Sequence, residues 1–177
     1  MRLNGRKIEG PNEEIIILPR PEEPLVFIAR AVLDMSDFER LCPRPIPPIK
    51  RMKNGEKIEE TDNPAFIAKQ DEYGSKHLAY MIIKSLEATE GLEWETVKLG
   101  NPSTWLNYET ELKEAGLSDM EVKRITLGVM TANCLNETKI EQVRKLFLAE
   151  QLERKDLLSR TEGLSITPSG EDANDSE

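Results

Sequence analysis

His77-Leu-Ala-Tyr-Met-Ile-Ile-Lys-Ser-Leu86 decides how the rest of this chain is read. Most of the sequence around it is charged or polar, yet Leu78 to Ile83 is an unbroken run of six apolar residues. Spaced at about 100° per residue around a helix, that run leaves no polar face. A helix that is apolar all round has to be enclosed by other elements. The stretch is therefore the expected hub of the core.

The helix that carries it begins at Asn63-Pro64, with Asn63 as N-cap and proline at the first helical position. Its first half, Ala65 to Lys76, is polar on most sides apart from Phe66 and Tyr73, so the helix enters the core from solvent. Glu87-Ala-Thr-Glu-Gly91 ends it. Leu92-Glu-Trp-Glu-Thr-Val97 reads equally as a short alternating strand or an ordered loop.

Before the hub the chain is β-type. The segment through Glu14 is polar, broken by Gly10-Pro11, and is expected to be loose. Ile15-Ile-Ile-Leu18 reads as a short buried strand, punctuated by Pro19, Pro21 and Pro24. Leu25 to Val32 is a second β-type run. Leu25, Phe27, Ala29 and Ala31 alternate with Val26, Ile28, Arg30 and Val32; both sets are largely apolar, so periodicity does not settle which faces the core. Ser36-Asp-Phe-Glu39 is a capping box that opens a short helix ending near Leu41, because Pro43, Pro45, Pro47 and Pro48 forbid continuation. Those prolines make a stiff, extended strut. Asn54-Gly55 between charged flanks is the strongest hairpin signal, since Asn-Gly favours positive φ at both centres of a type I′ turn. The ribbon it closes is exposed, and is either a partner contact or a surface flap.

After the hub three helices follow. Asn101-Pro102 starts the first, with Trp105, Tyr108, Leu112 and Ala115 on one stripe and Gly116 as its left-handed C-cap. Ser118 and Glu121 form a capping box for the second, with Leu117 and Val122 as hydrophobic staple and Val122, Ile125, Val129 and Ala132 facing inward. Asn136 caps the third, in which Ile140, Val143 and Phe147 continue the inward stripe. Short links imply antiparallel neighbours. The expected fold is α+β and predominantly α-helical, with a small N-terminal β element packed on a long helix and a C-terminal unit of three antiparallel helices. Residues 1–14 are a flexible N-terminus and 15–158 a single domain, β-rich over 15–62 and helical over 63–158. Residues 159–177 read as a disordered acidic tail.

The formal net charge is −9. Residues 1–160 hold 24 basic and 28 acidic side chains, a net of −4, and the last 17 residues hold the remaining five acids. No basic stripe of the kind that neutralises phosphates is present, which disfavours nucleic acid as a partner. No run approaches the roughly 18 apolar residues of a membrane span, and the start of the chain is not that of a signal peptide, so a cytoplasmic protein without membrane contact is expected. Cys42 and Cys134 are far apart and read as buried free thiols, a disulfide being the other option. His77 is the only histidine, and its neighbours at helical spacing, Tyr73, Gly74, Tyr80 and Met81, include no carboxylate to orient it. Neither a zinc ligand set nor a glycine-rich phosphate loop occurs. A carboxylate-only metal site is not excluded by counting, but no Asp-x-Asp-x-Asp-Gly loop is present, and we expect no catalytic residues, no metal and no cofactor.

Apolar residues off the inward stripes carry the functional signal. Met120, Leu127 and Met130 lie away from the Val122/Ile125/Val129 face, and Leu148 and Leu152 lie away from Ile140 and Phe147. These five are the candidate partner-binding residues, with methionine offering adaptable packing.

The order of motifs resembles a family. Phe27-Ile-Ala-Arg-Ala-Val-Leu-Asp, Phe38-Glu-Arg-Leu-Cys-Pro-Arg-Pro, Pro47-Pro and Tyr80-Met-Ile-Ile-Lys-Ser-Leu come first. Leu92-Glu-Trp-Glu-Thr-Val, Pro102-Ser-Thr-Trp, Glu111-Leu-Lys-Glu-Ala-Gly-Leu-Ser, Ala132-Asn-Cys-Leu-Asn-Glu and Arg144 to Leu148 follow. Over about residues 25–150 the chain resembles the tail assembly chaperones encoded in the tail gene cluster of long-tailed bacteriophages. That resemblance implies a non-enzymatic protein of the host cytoplasm, absent from the finished virion, that binds the tape measure protein and helps recruit tail tube protein around it. Members also occur as a longer frameshifted product. The family is described as mainly helical, and the strands at 15–18 and 25–32 with the Asn54-Gly55 hairpin depart from that. A homo-oligomer is compatible with the reading. Two other classes compete: an acidic phage inhibitor of a host nucleic-acid enzyme, and a minor structural tail or neck protein.

Overall fold

The computed structural model describes residues 2–7, 10–52 and 55–162. The fold is α+β and mainly helical. Among the described residues, three two-stranded antiparallel ladders, β1 (Arg2–Leu3) with β2 (Arg6–Lys7), β3 (Glu13–Leu18) with β4 (Leu25–Arg30), and β5 (Ile49–Arg51) with β6 (Lys57–Glu59), accompany five helices. These are α1 (Ser36–Leu41), α2 (Pro64–Leu86), α3 (Tyr108–Glu114), α4 (Asp119–Ala132) and α5 (Glu137–Glu162), with a 3-10 turn at Trp105–Asn107 before α3. Two compact units result, 1–136 and 137–177.

Helix α2 is the hub that its apolar run requires. The Asn63 side chain accepts the backbone N–H groups of Ala65 and Phe66, so the expected cap is made. Ala79 to Ile83, Ser85 and Leu86 are all buried. Because burial surrounds the helix, it divides the interior in two. Met81, Ile82 and Leu86 pack with Ile16, Leu18 and Phe27 of the hairpin and with Val122, Ile125 and Val129 of α4. Ala79, Tyr80 and Ile83 pack with Phe38, Val97 and Trp105.

The β3–β4 hairpin covers one side of this hub, and its faces differ. Ile16, Leu18, Phe27 and Ala29 are buried. Ile15 and Ile17, read from sequence as part of a buried strand, are 65% and 49% exposed. The physical reason is that α2 and α4 residues pack against one face of the hairpin, and side chains alternate between faces. For β4 the open question resolves towards Phe27 and Ala29. β4 is also shorter than the apolar run, ending at Arg30.

The hairpin expected at Asn54-Gly55 forms, β5 pairing with β6, and a second Asn-Gly turn lies nearer the start of the chain. Asn4 and Gly5, in the segment read as loose, both have positive φ (51° and 79°) and join β1 to β2 in a two-residue turn, the geometry favoured by Asn-Gly. In the β5–β6 turn Asn54 lies outside the described residues. There Met52 N–H donates to the Glu56 carbonyl, and left-handed Gly55 (φ 85°) donates to the Met52 carbonyl.

Residues 92–97 form a loop held by one side chain. The Glu111 carboxylate accepts the backbone N–H groups of Glu95, Thr96 and Val97 and the Thr96 hydroxyl. Burial pushes this carboxyl up, and the three amides outweigh it and hold it below the usual range. The helix expected from Asn101 starts later, at Tyr108. Asn101 instead accepts from the Ser103 N–H and hydroxyl, an Asx turn that delays the helix. Gly116 (φ 90°) ends α3 in a Schellman motif, with Leu117 N–H donating to Leu112 and Gly116 N–H to Lys113.

Helix α4 has the expected capping box of Ser118 and Glu121. It ends in a second Schellman motif, with Leu135 N–H donating to Met130 and Cys134 N–H to Thr131. Here the left-handed residue is Cys134 (φ 56°). Both cysteines are free; Cys42 is half-buried and Cys134 is exposed, so the expected burial fails for Cys134. Helix α5 belongs to the second unit. It continues to Glu162, four residues into the stretch read as a disordered tail, and the acidic end at 163–177 lies outside the described residues. Along α5, Ile140, Val143 and Phe147 are exposed, whereas sequence had placed them inward.

Candidate functional site

Helix α4 lies beneath β3 and β4 with Val122, Ile125, Gly128, Val129 and Ala132 buried. That orientation leaves the residues on its far side for solvent. Met120 is 72% exposed and Leu127 is 53% exposed, while Met130 is half-buried. On α5, Leu148 and Leu152, one helical turn apart, are exposed. The structure thus brings together the three α4 residues on one helix and the two α5 residues on another, in separate units.

Two of the α4 residues line a groove. Leu127 and Met130 form its wall with Tyr108, Val122 and Thr126, and the space enclosed is about 520 Å³. Met120 is not part of this lining. The Lys113 ammonium lies at the mouth, 2.8 Å from Glu109 and 2.9 Å from Asp119, joining α3 to α4. Its pKa is raised by these two carboxylates, and Asp119 is lowered in turn. Burial pushes the Tyr108 hydroxyl up. Lys123 lines the groove as well, so its apolar wall is bordered by charged side chains. Tyr108 packs against both core clusters, as its helical stripe reads, and also lines this groove.

Further apolar surface was also missed. Ile15, Ile17 and Val26 are exposed on the hairpin, and Val143, Leu146 and Phe147 on α5. The Leu146-Phe-Leu148 run was a legible signal, since three consecutive apolar residues cannot all share one helix face.

His77 is half-buried, its ring edge-on to Phe38 with centroids 5.0 Å apart, in a cluster with Tyr73, Tyr80 and Trp105. Among the described residues no group of three His, Cys, Asp or Glu side chains is placed to hold a metal ion, and no helix is long and apolar enough to cross a membrane. No family model, curated protein or solved structure matches the chain.

Proposed function

We propose that this protein is a non-enzymatic assembly factor, a bacteriophage tail assembly chaperone that holds the tape measure protein and helps tail tube protein assemble around it in the host cytoplasm. The reading rests on the sequence resemblance over about residues 25–150. The observation that carries it is the exposure of Met120 and Leu127 on α4, away from its buried stripe, and of Leu148 and Leu152 on α5, where Ile140, Val143 and Phe147 are exposed as well. Large apolar residues in such numbers on two helices suit a protein that engages a sticky client by apolar contact. The net charge of −9 keeps such a surface soluble.

Co-expression with the long tape measure protein tests it. The client is expected to become soluble and to co-purify, and Leu148→Ala with Leu152→Ala is expected to weaken that capture while melting is unchanged. Client solubility that does not respond to the protein removes the proposal, and recovery of the protein in purified virions favours a structural tail or neck component instead.

A further inference from the structure

The two edges of the β3–β4 hairpin are finished differently. Ala31 N–H donates to the Asn12 carbonyl at 2.8 Å. Antiparallel pairs alternate between hydrogen-bonded and non-hydrogen-bonded, so with the observed register the backbone groups of Ile28 and Arg30 point out of β4, and those of Ile15 and Ile17 point out of β3. On the β4 side these groups are met by side chains. Thr89 Oγ accepts from Ile28 N–H at 2.9 Å and donates to the Ile28 carbonyl at 3.1 Å. Ser85 Oγ donates to the Arg30 carbonyl at 2.7 Å, and just beyond the strand Asn133 Oδ1 accepts from Val32 N–H at 2.8 Å. On the β3 side the outward groups of Ile15 and Ile17 have no partner among the described residues, and both side chains are exposed. Unpaired, apolar and without a charge at its centre, this edge is a template for another strand.

We propose that the β3 edge is an interface with a second copy of this chain, paired antiparallel about Ile16 so that two hairpins form one four-stranded sheet. An open edge takes an extended, proline-free segment with alternating side chains, and β3 is itself such a segment. About Ile16, Ile15 exchanges both backbone hydrogen bonds with Ile17 of the second copy, Ile16 lies beside its counterpart, and Glu14 lies beside Leu18. Every contact at the centre is apolar. Centring on Ile15 would instead set Glu13 against Ile17 and Glu14 against Ile16. Parallel pairing would set Glu13 and Glu14 against their own copies, which is unfavourable for like charges directly opposite. Pro19, having no N–H, ends the shared ladder at each side. So short a strand contact makes a concentration-dependent dimer rather than a permanent one.

Sedimentation velocity of the full chain over a concentration series tests this. The expected result is a monomer–dimer equilibrium. Ile15→Pro deletes an amide that β4 does not use, and Ile17→Lys puts a charge on the edge; each is expected to raise the dimer dissociation constant by about tenfold or more with helical content retained. Should the proline variant fail to fold, the lysine variant, altering an exposed side chain, reads the same contact. A wild-type monomer up to millimolar concentration overturns the proposal, as does a dimer indifferent to both substitutions. A monomer whose capture of the tape measure protein is lost on Ile15→Pro overturns it in favour of a client strand on the same edge.

Discussion

Ile16 of β3 lies directly over Gly128 of α4, so that a Cβ at position 128 would overlap its side chain. Gly128→Ala has a propensity gain of about 1 kcal/mol on its side. Overpacking a buried contact costs about 1–3 kcal/mol. We expect net destabilisation by about 1 kcal/mol in chemical denaturation, and a much smaller effect when Ile16→Ala is already present. Equal effects in both backgrounds would show that the two residues do not share the space.

Cys134→Gly is expected to stabilise the protein. Cys134 holds φ 56° at the left-handed position of the α4 Schellman motif, where Gly116 serves after α3. A non-glycine residue there costs about 1–2 kcal/mol, partly offset by the extra freedom of glycine in the unfolded chain. A rise of about 0.5–1 kcal/mol in unfolding free energy is the expected outcome, and a fall would contradict the strain.

The acid limb of stability should depend on Glu121. Its carboxyl accepts from Arg20 first, and from the Ser118 N–H and hydroxyl at 2.9 Å each, which lower its pKa from 4.5 to about 2. A folded-state pKa depressed in this way contributes stability above pH 4.5 that is lost as pH falls towards 2. Melting temperature measured over that window should fall less steeply in Glu121→Gln than in the wild type, with the variants closest at the acid end.

Asn133→Ala is expected to cost about 2–3 kcal/mol. Its Nδ2 donates to Ser85 Oγ and to the Val129 carbonyl, both at 2.8 Å, while its Oδ1 accepts from Val32 N–H. Removing the side chain leaves part-buried polar groups unpaired, which is worth more than one average hydrogen bond. Asn133→Asp keeps the acceptor only and should fall between the two in thermal melting.

Local rules made much of this fold legible. The hub at Leu78–Ile83, the Asn63 cap, the Ser118/Glu121 capping box and the Gly116 terminator all depend on residues within one or two turns of each other, and all are present. What was hidden depends on distant partners. The half-exposure of β3 follows from α2 and α4 packing against one face of the hairpin only. The delayed start of α3 follows from Asn101 spending its side chain on Ser103. Cys134 is a residue type that gives no hint of a left-handed backbone. On α4, Met120 and Leu127 are exposed as their place outside the apolar stripe implies, whereas α5 exposes its expected inward stripe as well as Leu148 and Leu152, because nothing packs along it to separate one face from another among the described residues.

The side chains along β4 also tie its backbone to distant parts of the chain. Ile28, Arg30 and Val32 obtain their outward hydrogen bonds from Thr89, Ser85 and Asn133, the last of these 101 residues further along the chain. The outward hydrogen bonds of the hairpin therefore depend on the ends of both α2 and α4. Hydrogen exchange at the Ile28 and Val32 amides should accordingly report helix docking, even though both amides belong to the β-segment of the chain.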